Sequence, residues 1–217
     1  MALDAGSLTS SLTTAEQAQI SDILVSHSHF DHIRDIPTLG LSTLWEPGST
    51  SVHGLPDTLS AIHEHFLNWK IYPDFTEGLN NAPAKLQFRP VEPKQAFTVL
   101  DYQIKPVPVP HPVPCVGYIV KSSSGASIAY TGDTGGGLKS FLHDPMQPGI
   151  LFVDVTFPNR LHDLADTHRT PHPVQPTERV VDRIGRRRHS ATYCCGPHRP
   201  PNTKTKWQKS LKTCPAK

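Results

Sequence analysis

The sequence has little of what marks membrane-spanning and disulfide-stabilised proteins. It holds four cysteines in 217 residues, and its N-terminal stretch MALDAGSLTSSLTTAEQ has neither a basic nor an apolar segment. No run approaches the roughly 18 apolar residues that a bilayer requires. These shortages exclude a disulfide scaffold and a transmembrane helix, and they predict a cytoplasmic protein without an export signal.

The formal net charge of +2 conceals two unlike parts of the chain. Residues 1–178 carry 10 Lys and Arg against 18 Asp and Glu, a net charge of −8. Residues 179–217 carry 11 against 1, a net charge of +10, and apolar periodicity stops there. We therefore predict one folded domain over 1–178 and a basic, disordered tail over 179–217, which would touch nucleic acid only weakly.

Apolar patterning predicts a mixed α+β domain in which strands outnumber helices. Residues 23–25 read as a short buried strand that runs into a loop, and a helix is expected from about Asp57. Further strands and hairpins are expected in KLQFRPVE, AFTVLDYQIKPVPV, VGYIVKSSSGASIAYTGD and ILFVDVTF. The later stretch SATYCCG is a poor buried strand.

The stretch VSHSHFDHIRDIPTL concentrates ligand-type side chains directly after the first strand. His27, His29, Asp31 and His32 form the pattern H-x-H-x-D-H. Residues two apart in an extended segment project to the same side, so His27 and His29 can bind one ion. Asp31 and His32 can then bind a second ion nearby. Packing needs rarely place four such side chains in six positions, and the pattern therefore predicts a metal site.

Two further ligands are expected downstream because the loop alone underfills two coordination spheres. His111 stands between an extended Pro-Val run and a new strand, and Asp133 follows another strand in IAYTGDTGG. A carboxylate with two oxygens can bridge ions held about 3.5–4 Å apart. The TGDTGGG stretch lacks the Lys and the spacing of a phosphate-binding loop.

Together these residues resemble the metallo-β-lactamase fold of binuclear hydrolases. Other stretches resemble its bacterial 3′,5′-cyclic-nucleotide phosphodiesterase branch, similar to the class II cyclic AMP phosphodiesterases: DAGSLTSSL, HGLPDTLSAIHEHFLNWKIYPDF, VPVPHPVPCVGYIV and VDVTFPNRLHDLA. The likeness runs from about residue 2 to 178. It implies an αββα sandwich, incomplete at both ends, that hydrolyses cyclic AMP, a small-molecule partner, to a 5′-monophosphate.

The resemblance also implies which residues hold the metals. One ion would be bound by His27, His29 and His111, with Asp133 bridging to a second ion held by Asp31 and His32. Zinc is the expected metal, with Mn²⁺ or Fe²⁺ as alternatives.

The remaining site residues expected from the resemblance lie near or beyond the charge break. His168 in ADTHRTP aligns with a proton-donating or phosphate-gripping histidine, and we assign catalytic roles to His168 and Asp31. His198 in GPHRPP is the nearest candidate to complete the second metal site. A change of reading frame between about residues 165 and 185 would explain both the altered charge and the divergent ending.

The sequence also permits other functions. Trp69, Tyr72 or Phe157 either stacks on the substrate base or packs in the core. The same fold would serve a tRNA 3′-end-processing endonuclease or a thioester hydrolase, although the net charge of −8 argues against a polynucleotide substrate unless the tail supplies a basic surface. A truncated, inactive product that binds at most one metal is the remaining alternative.

Overall fold

The structure is a computed structural model that describes residues 1–79, 83–155 and 190–195. Its ten strands are β1 (Ala2–Leu3), β2 (Asp22–Leu24), β3 (Thr50–Gly54), β4 (Leu86–Pro90), β5 (Phe97–Val99), β6 (Tyr102–Pro108), β7 (Val116–Ser122), β8 (Ser127–Tyr130), β9 (Ile150–Val155) and β10 (Ser190–Cys195). Its six helices are α1 (Leu8–Ser11), α2 (Thr14–Gln17), α3 (Phe30–Ile33), α4 (Asp35–Ser42), α5 (Pro56–His65) and α6 (Lys139–Leu142).

The strands form two sheets. The first has the order β1-β2-β3-β4 and is parallel throughout. The second has the order β10-β9-β8-β7-β6-β5, with antiparallel pairing from β5 to β8 and parallel pairing from β8 to β10. Because all strands of the first sheet run the same way, its connecting loops leave from a common edge.

Alternation along β2 shows how the two sheets stack. Ile23 belongs to an apolar cluster with the helices α4 and α5, whereas the next residue, Leu24, packs with Ile104 and Tyr118 of the second sheet. Successive side chains of a strand point to opposite faces, so β2 has helices on one face and the second sheet on the other.

Three buried apolar clusters separate the layers of the molecule. The cluster between the first sheet and its helices includes Ile36, Leu39 and Ile62, and the cluster between the sheets includes Val99 and Val120. The third lies on the outer face of the second sheet, where α6 packs; it contains Val107, Ile119, Ala129, Phe141, Leu151 and Val153. This order of layers confirms the predicted α+β class and the αββα sandwich.

Helix α5 begins and ends for reasons visible in its sequence. Pro56 occupies its first turn, where a missing backbone N–H costs nothing, and Asp57 places a negative charge beside the positive end of the helix dipole. Leu59 and Ile62, three residues apart, bury one face against β3 and β4. The helix predicted from Asp57 is therefore confirmed, one residue earlier than expected.

The second sheet contains a strand that the sequence pattern did not predict. SATYCCG was expected to be a poor strand within a disordered tail, but Ser190–Cys195 pairs in parallel with β9, with Tyr193 opposite Val153. The expectation is wrong for these six residues, because the hydrogen bonds of a strand come from its backbone and need no alternating side chains. The boundary near residue 178 lies outside the described residues and stays a prediction.

Within the part of the chain that the structure describes, no helix combines the length and the apolar character that crossing a bilayer requires.

Candidate metal centre

Three loops bring ligand-type side chains to one end of the sandwich. His27 and His29 follow β2, His111 follows β6 and Asp133 follows β8. The carboxyl ends of strands are where layered α/β proteins commonly place their sites. Sequence positions up to 106 residues apart thereby become neighbours.

These four residues, called here the four-ligand cluster, each direct one donor atom to a common point. The donor atoms of His27, His29, His111 and Asp133 all lie within 4.8 Å of one another. His29 Nδ1 is 3.0 Å from His27 Nε2 and 3.0 Å from His111 Nε2. Three imidazoles and a carboxylate at this spacing match the donor set and the size of a site for Zn²⁺ or a similar divalent ion.

A hydrogen-bond chain behind His27 fixes which of its nitrogens faces the cluster. Ser26 Oγ donates to Asp4 Oδ2 at 2.8 Å, so the same hydroxyl oxygen accepts from His27 Nδ1 at 2.9 Å. Nε2 then keeps a lone pair with which it can bind a metal ion. Burial, and next the positive charge of His32, lower the pKa of His27 to about 3. A neutral imidazole is the form that binds metal.

His32 is held between two carboxylates. Its Nδ1 lies 2.7 Å from Asp4 Oδ2, and its Nε2 lies 3.4 Å from Asp133 Oδ1 and 3.6 Å from Asp31 Oδ2. Burial by itself lowers the pKa of His32, but the hydrogen bonds to Asp133 and Asp4 and their charges outweigh it and raise the pKa to about 11. Burial likewise opposes ionisation of Asp133, yet its bond to His32 holds the pKa of that carboxyl well below its usual range.

Asp4 is the site residue that sequence reasoning missed. Its carboxylate accepts hydrogen bonds from Ser26 N at 2.6 Å, Ser26 Oγ at 2.8 Å and Tyr130 OH at 2.6 Å, and it contacts His32 Nδ1 at 2.7 Å. Burial raises the pKa of Asp4, but the bond to His32 and the charge of His32 lower it further than burial raises it. The available signal was an aspartate at the end of a strand, in the stretch DAGS.

The backbone around Asp4 also fixes the ligand loop. Ala5 N donates to His32 O at 2.7 Å, and Asp35 N donates to Ala5 O at 2.9 Å. A Cβ on Gly6 would lie 1.8 Å from Asp31 O, which no real contact allows. The residues after β1 therefore pack directly on the backbone of the H-x-H-x-D-H loop, and only glycine fits there.

The predicted site residues are distributed unevenly over the structure. Asp31 has a side chain that is 76% exposed, and it reaches the site only through its contact with His32. Tyr72 bonds to Thr38 at 3.2 Å and packs against the helix-side core, as the core alternative predicted, whereas Trp69 is exposed. Three predicted residues lie outside the described residues: Phe157, His168 and His198.

The geometry of the fold and site agrees with the comparison to protein families. The chain belongs to the beta-lactamase superfamily, because the model of the beta-lactamase superfamily domain matches residues 6–192. The match begins just after β1, includes the four-ligand cluster and ends within β10.

Two curated proteins of similar sequence are both named as 3′,5′-cyclic-nucleotide phosphodiesterases. A probable 3′,5′-cyclic-nucleotide phosphodiesterase of Yersinia pestis is 24% identical over 119 residues, which is 54% of this chain and 34% of that protein. The 3′,5′-cyclic-nucleotide phosphodiesterase 1 of Saccharomyces cerevisiae is 29% identical over 96 residues, 42% of this chain and 25% of that protein. The matched stretches thus span only about a third and a quarter of these relatives.

Solved structures share the fold at low sequence identity. Unliganded yeast PDE1 superposes with a TM-score of 0.63 and 20% identity, covering 77% of this chain and 52% of that one. The short form of human tRNase Z superposes with a TM-score of 0.57 and 18% identity, covering 89% and 81%. Both likenesses support the metallo-β-lactamase fold.

Proposed function

We propose that this chain is a metal-dependent phosphodiesterase that hydrolyses 3′,5′-cyclic nucleotides, such as cyclic AMP, to 5′-monophosphates. The name carried by both curated relatives supports this activity, and the arrangement of the site supports a hydrolase that uses divalent metal. The cytoplasm is the proposed location, since a chain with few cysteines suits a reducing compartment.

In this proposal the four-ligand cluster would hold one ion, and Asp31 and His32 would hold a second together with Asp133. Binding of the second ion would displace the proton of His32, because a neutral imidazole is the form that binds metal. Zinc is the first candidate for both, because imidazole and carboxylate donors suit it. When bound, such ions supply Lewis-acid activation of water and neutralise the charge that develops on the phosphoryl oxygens. His198 is the proposed additional ligand of the second ion.

The chain's own residues set the geometry for this chemistry. Asp4 binds the Nδ1 side of His32 and so turns Nε2 toward Asp133. Ser26 binds the Nδ1 side of His27 and so leaves its Nε2 facing the four-ligand cluster. His168 is the proposed donor of the proton that the departing O3′ requires, because an alkoxide leaves poorly without one.

A tRNA 3′-processing endonuclease is the competing function on this fold. The likeness to human tRNase Z is a likeness of fold, and residues 1–178 carry a net charge of −8. A polynucleotide needs a basic docking surface, whereas a cyclic mononucleotide does not. The charge therefore favours the small substrate, with the basic segment 179–217 as the one feature that favours the polynucleotide.

The convergence of four donor atoms within 4.8 Å carries the proposal. The test is release of 5′-AMP from cyclic AMP by the full chain supplied with Zn²⁺ or Mn²⁺. We expect turnover that falls by at least about a hundredfold in His29→Ala, since loss of a ligand should exceed the effect of losing its supporting residue. His65→Ala is the matched control: His65 is an exposed histidine of α5, so this variant should retain activity.

The same preparation, given a precursor tRNA, separates the two functions. Cleavage of the tRNA without hydrolysis of cyclic AMP would replace the proposed function with the endonuclease. Hydrolysis of neither substrate, with metal bound, would reject both.

A further inference from the structure

A large apolar ring stands exposed within the ligand loop itself. Phe30 is the second x of the H-x-H-x-D-H pattern, between His29 and Asp31, and it is 61% exposed. Folding normally buries a phenyl ring because exposing it forfeits apolar burial. Most of the surface of this ring is therefore available for contact with another molecule.

The ring of Phe30 is fixed on one face and open on the other. It stacks on Phe66 with ring centroids 5.9 Å apart and an interplanar angle of 24°. Phe66 is half-buried and packs against the apolar cluster between the first sheet and its helices. The underlying ring thus anchors Phe30, while the 61% exposure leaves a flat apolar surface toward solvent.

The residue that carries this surface directly follows a member of the metal centre in the chain. Consecutive Cα atoms are about 3.8 Å apart, so the backbone of Phe30 adjoins that of His29, a member of the four-ligand cluster. On its other side, Asp31 reaches to within 3.6 Å of His32 Nε2. A substrate whose phosphate lies on the cluster would extend its remaining atoms past this residue.

We infer that Phe30 stacks on the base of the cyclic nucleotide and so selects substrates that carry a planar heteroaromatic group. The inference rests on the proposed function and adds a specificity-determining residue to it. Stacking suits such a role because every base has a π face, and an aromatic side chain held flat by a second ring loses little freedom on binding.

Phe30 fits this role better than Tyr72 and Trp69, the two aromatic side chains proposed from the sequence that the structure describes. Tyr72 is bonded through its hydroxyl to Thr38 and packs inward. Trp69 is 60% exposed, but it belongs to the segment after α5 and not to the ligand loop. Phe30 alone among these three is covalently adjacent to a member of the four-ligand cluster.

The test compares two substrates, cyclic AMP and the base-free methyl riboside 3′,5′-cyclic phosphate, with the metal-loaded full chain. The quantity measured is the ratio of kcat/KM for the two. In Phe30→Leu, which keeps an apolar contact for Phe66 but removes the π face, we expect this ratio to fall about tenfold, through KM for cyclic AMP. Phe30→Trp should keep the ratio.

Trp45→Ala is the matched control, because Trp45 is 79% exposed, lies three residues after the end of α4 and should leave the ratio unchanged. Equilibrium binding of 5′-AMP and of ribose 5-phosphate gives a second readout. Phe30→Leu should weaken binding of 5′-AMP about tenfold more than binding of ribose 5-phosphate. Thermal melting of each variant verifies that it is folded.

The outcomes separate the inference from the function on which it rests. If the wild type hydrolyses cyclic AMP but Phe30→Leu keeps the wild-type ratio, or loses both substrates equally, the stacking role is overturned and the function stands. If the wild type hydrolyses neither cyclic phosphate, the proposed function fails and the inference fails with it.

Discussion

A single carboxylate, that of Asp4, joins three elements at the residue scale. It binds the backbone and hydroxyl of Ser26 after β2, the ring of His32 in α3 and the hydroxyl of Tyr130 at the end of β8. Its Oδ2 faces three donors and its Oδ1 a fourth. Only a group with acceptors on both oxygens satisfies all of them.

Asp4→Asn should therefore destabilise the metal-free protein. An amide must turn its NH₂ group either toward Ser26 N or toward the three donors at Oδ2, and it also removes the charge that pairs with His32. We expect a loss of about 2–4 kcal/mol in the free energy of unfolding, measured by urea denaturation with chelator present. Asp31→Asn, an exposed carboxylate of the same loop, should lose less than about 0.5 kcal/mol. Equal stabilities for the two variants would contradict the role given to Asp4.

A second buried carboxylate, Asp74, predicts how acid affects stability. It accepts from Thr76 N at 2.9 Å and Thr76 Oγ1 at 2.6 Å, and it contacts His63 Nε2 at 2.8 Å. Burial raises the pKa of Asp74, but these bonds and the charge of His63 lower it further. The folded pKa is then below the unfolded one, so the stabilisation is present above the unfolded value near about 3.9 and is lost as pH falls through the folded pKa.

Asp74→Asn should consequently be less stable than the wild type by about 1 kcal/mol at pH 7, with a difference that narrows as the pH is lowered below about 4. Urea unfolding at a series of pH values measures this. Asp101→Asn, at an exposed carboxylate, is the control and should differ from wild type by less than about 0.5 kcal/mol at pH 7. If the stability difference between wild type and Asp74→Asn instead grew as the pH was lowered, the pKa of Asp74 would be raised in the folded protein and not lowered.

At the scale of the elements, helix α4 packs against the ring of Phe75 at Gly40, which has no side chain. A Cβ on Gly40 would lie 2.7 Å from Phe75 Cδ2 and 2.9 Å from Cγ, and the ring is fully buried. The ring therefore fixes how closely α4 approaches the segment before β4, and with it the position of the ligand loop that precedes the helix.

Gly40→Ala should destabilise the protein by about 1–3 kcal/mol. Alanine is more favourable than glycine in a helix by about 1 kcal/mol, but the clash of its methyl group with the Phe75 ring should cost more than that. Thermal or urea unfolding measures the change. Gly136→Ala, where a Cβ would meet no heavy atom within 4 Å, is the control. The double variant Gly40→Ala with Phe75→Leu should recover part of the loss. A Gly40→Ala protein as stable as wild type would show that the ring has room to move.

The elements also show which parts of the molecule could be predicted from sequence. The loop after β2 and the helix α5 were predictable because each carries a local pattern, ligand spacing in one and apolar spacing in the other. Asp4 was missed because a lone aspartate after a strand of two residues carries no periodic signal; its importance comes from partners as distant as Tyr130. Strand β10 was missed because its pairing with β9 is a property of the backbone.

At the scale of the whole molecule, the site depends on both sheets. His27, His29 and Asp4 come from loops of the first sheet, and His111 and Asp133 from loops of the second. Tyr118 OH on β7 donates to Val25 O at 2.8 Å and Val116 N donates to Ser26 O at 3.0 Å, so the ligand loop is bonded directly across the sandwich. A metal that binds these loops together should stabilise the entire fold.

Divalent metal should accordingly raise the melting temperature of the protein. At a free concentration about 100 times the dissociation constant, binding contributes about 2.7 kcal/mol, which corresponds to a rise of about 5–10 °C for a chain of this size. Differential scanning calorimetry with chelator and then with Zn²⁺ measures the shift. The rise should shrink in His111→Ala and persist in His65→Ala, whose histidine is exposed on α5. The same rise in His111→Ala would place the metal elsewhere.

Binding of divalent metal by the four-ligand cluster can be measured as the number of ions held per chain. Equilibrium dialysis of the full chain against Zn²⁺, followed by elemental analysis, should find about two ions per chain in the wild type, because the proposed second ion also uses Asp133. His29→Ala should bind at least one ion fewer. No tightly bound zinc in the folded wild type, or equal stoichiometry in the wild type and His29→Ala, would show that the four-ligand cluster does not bind the metal.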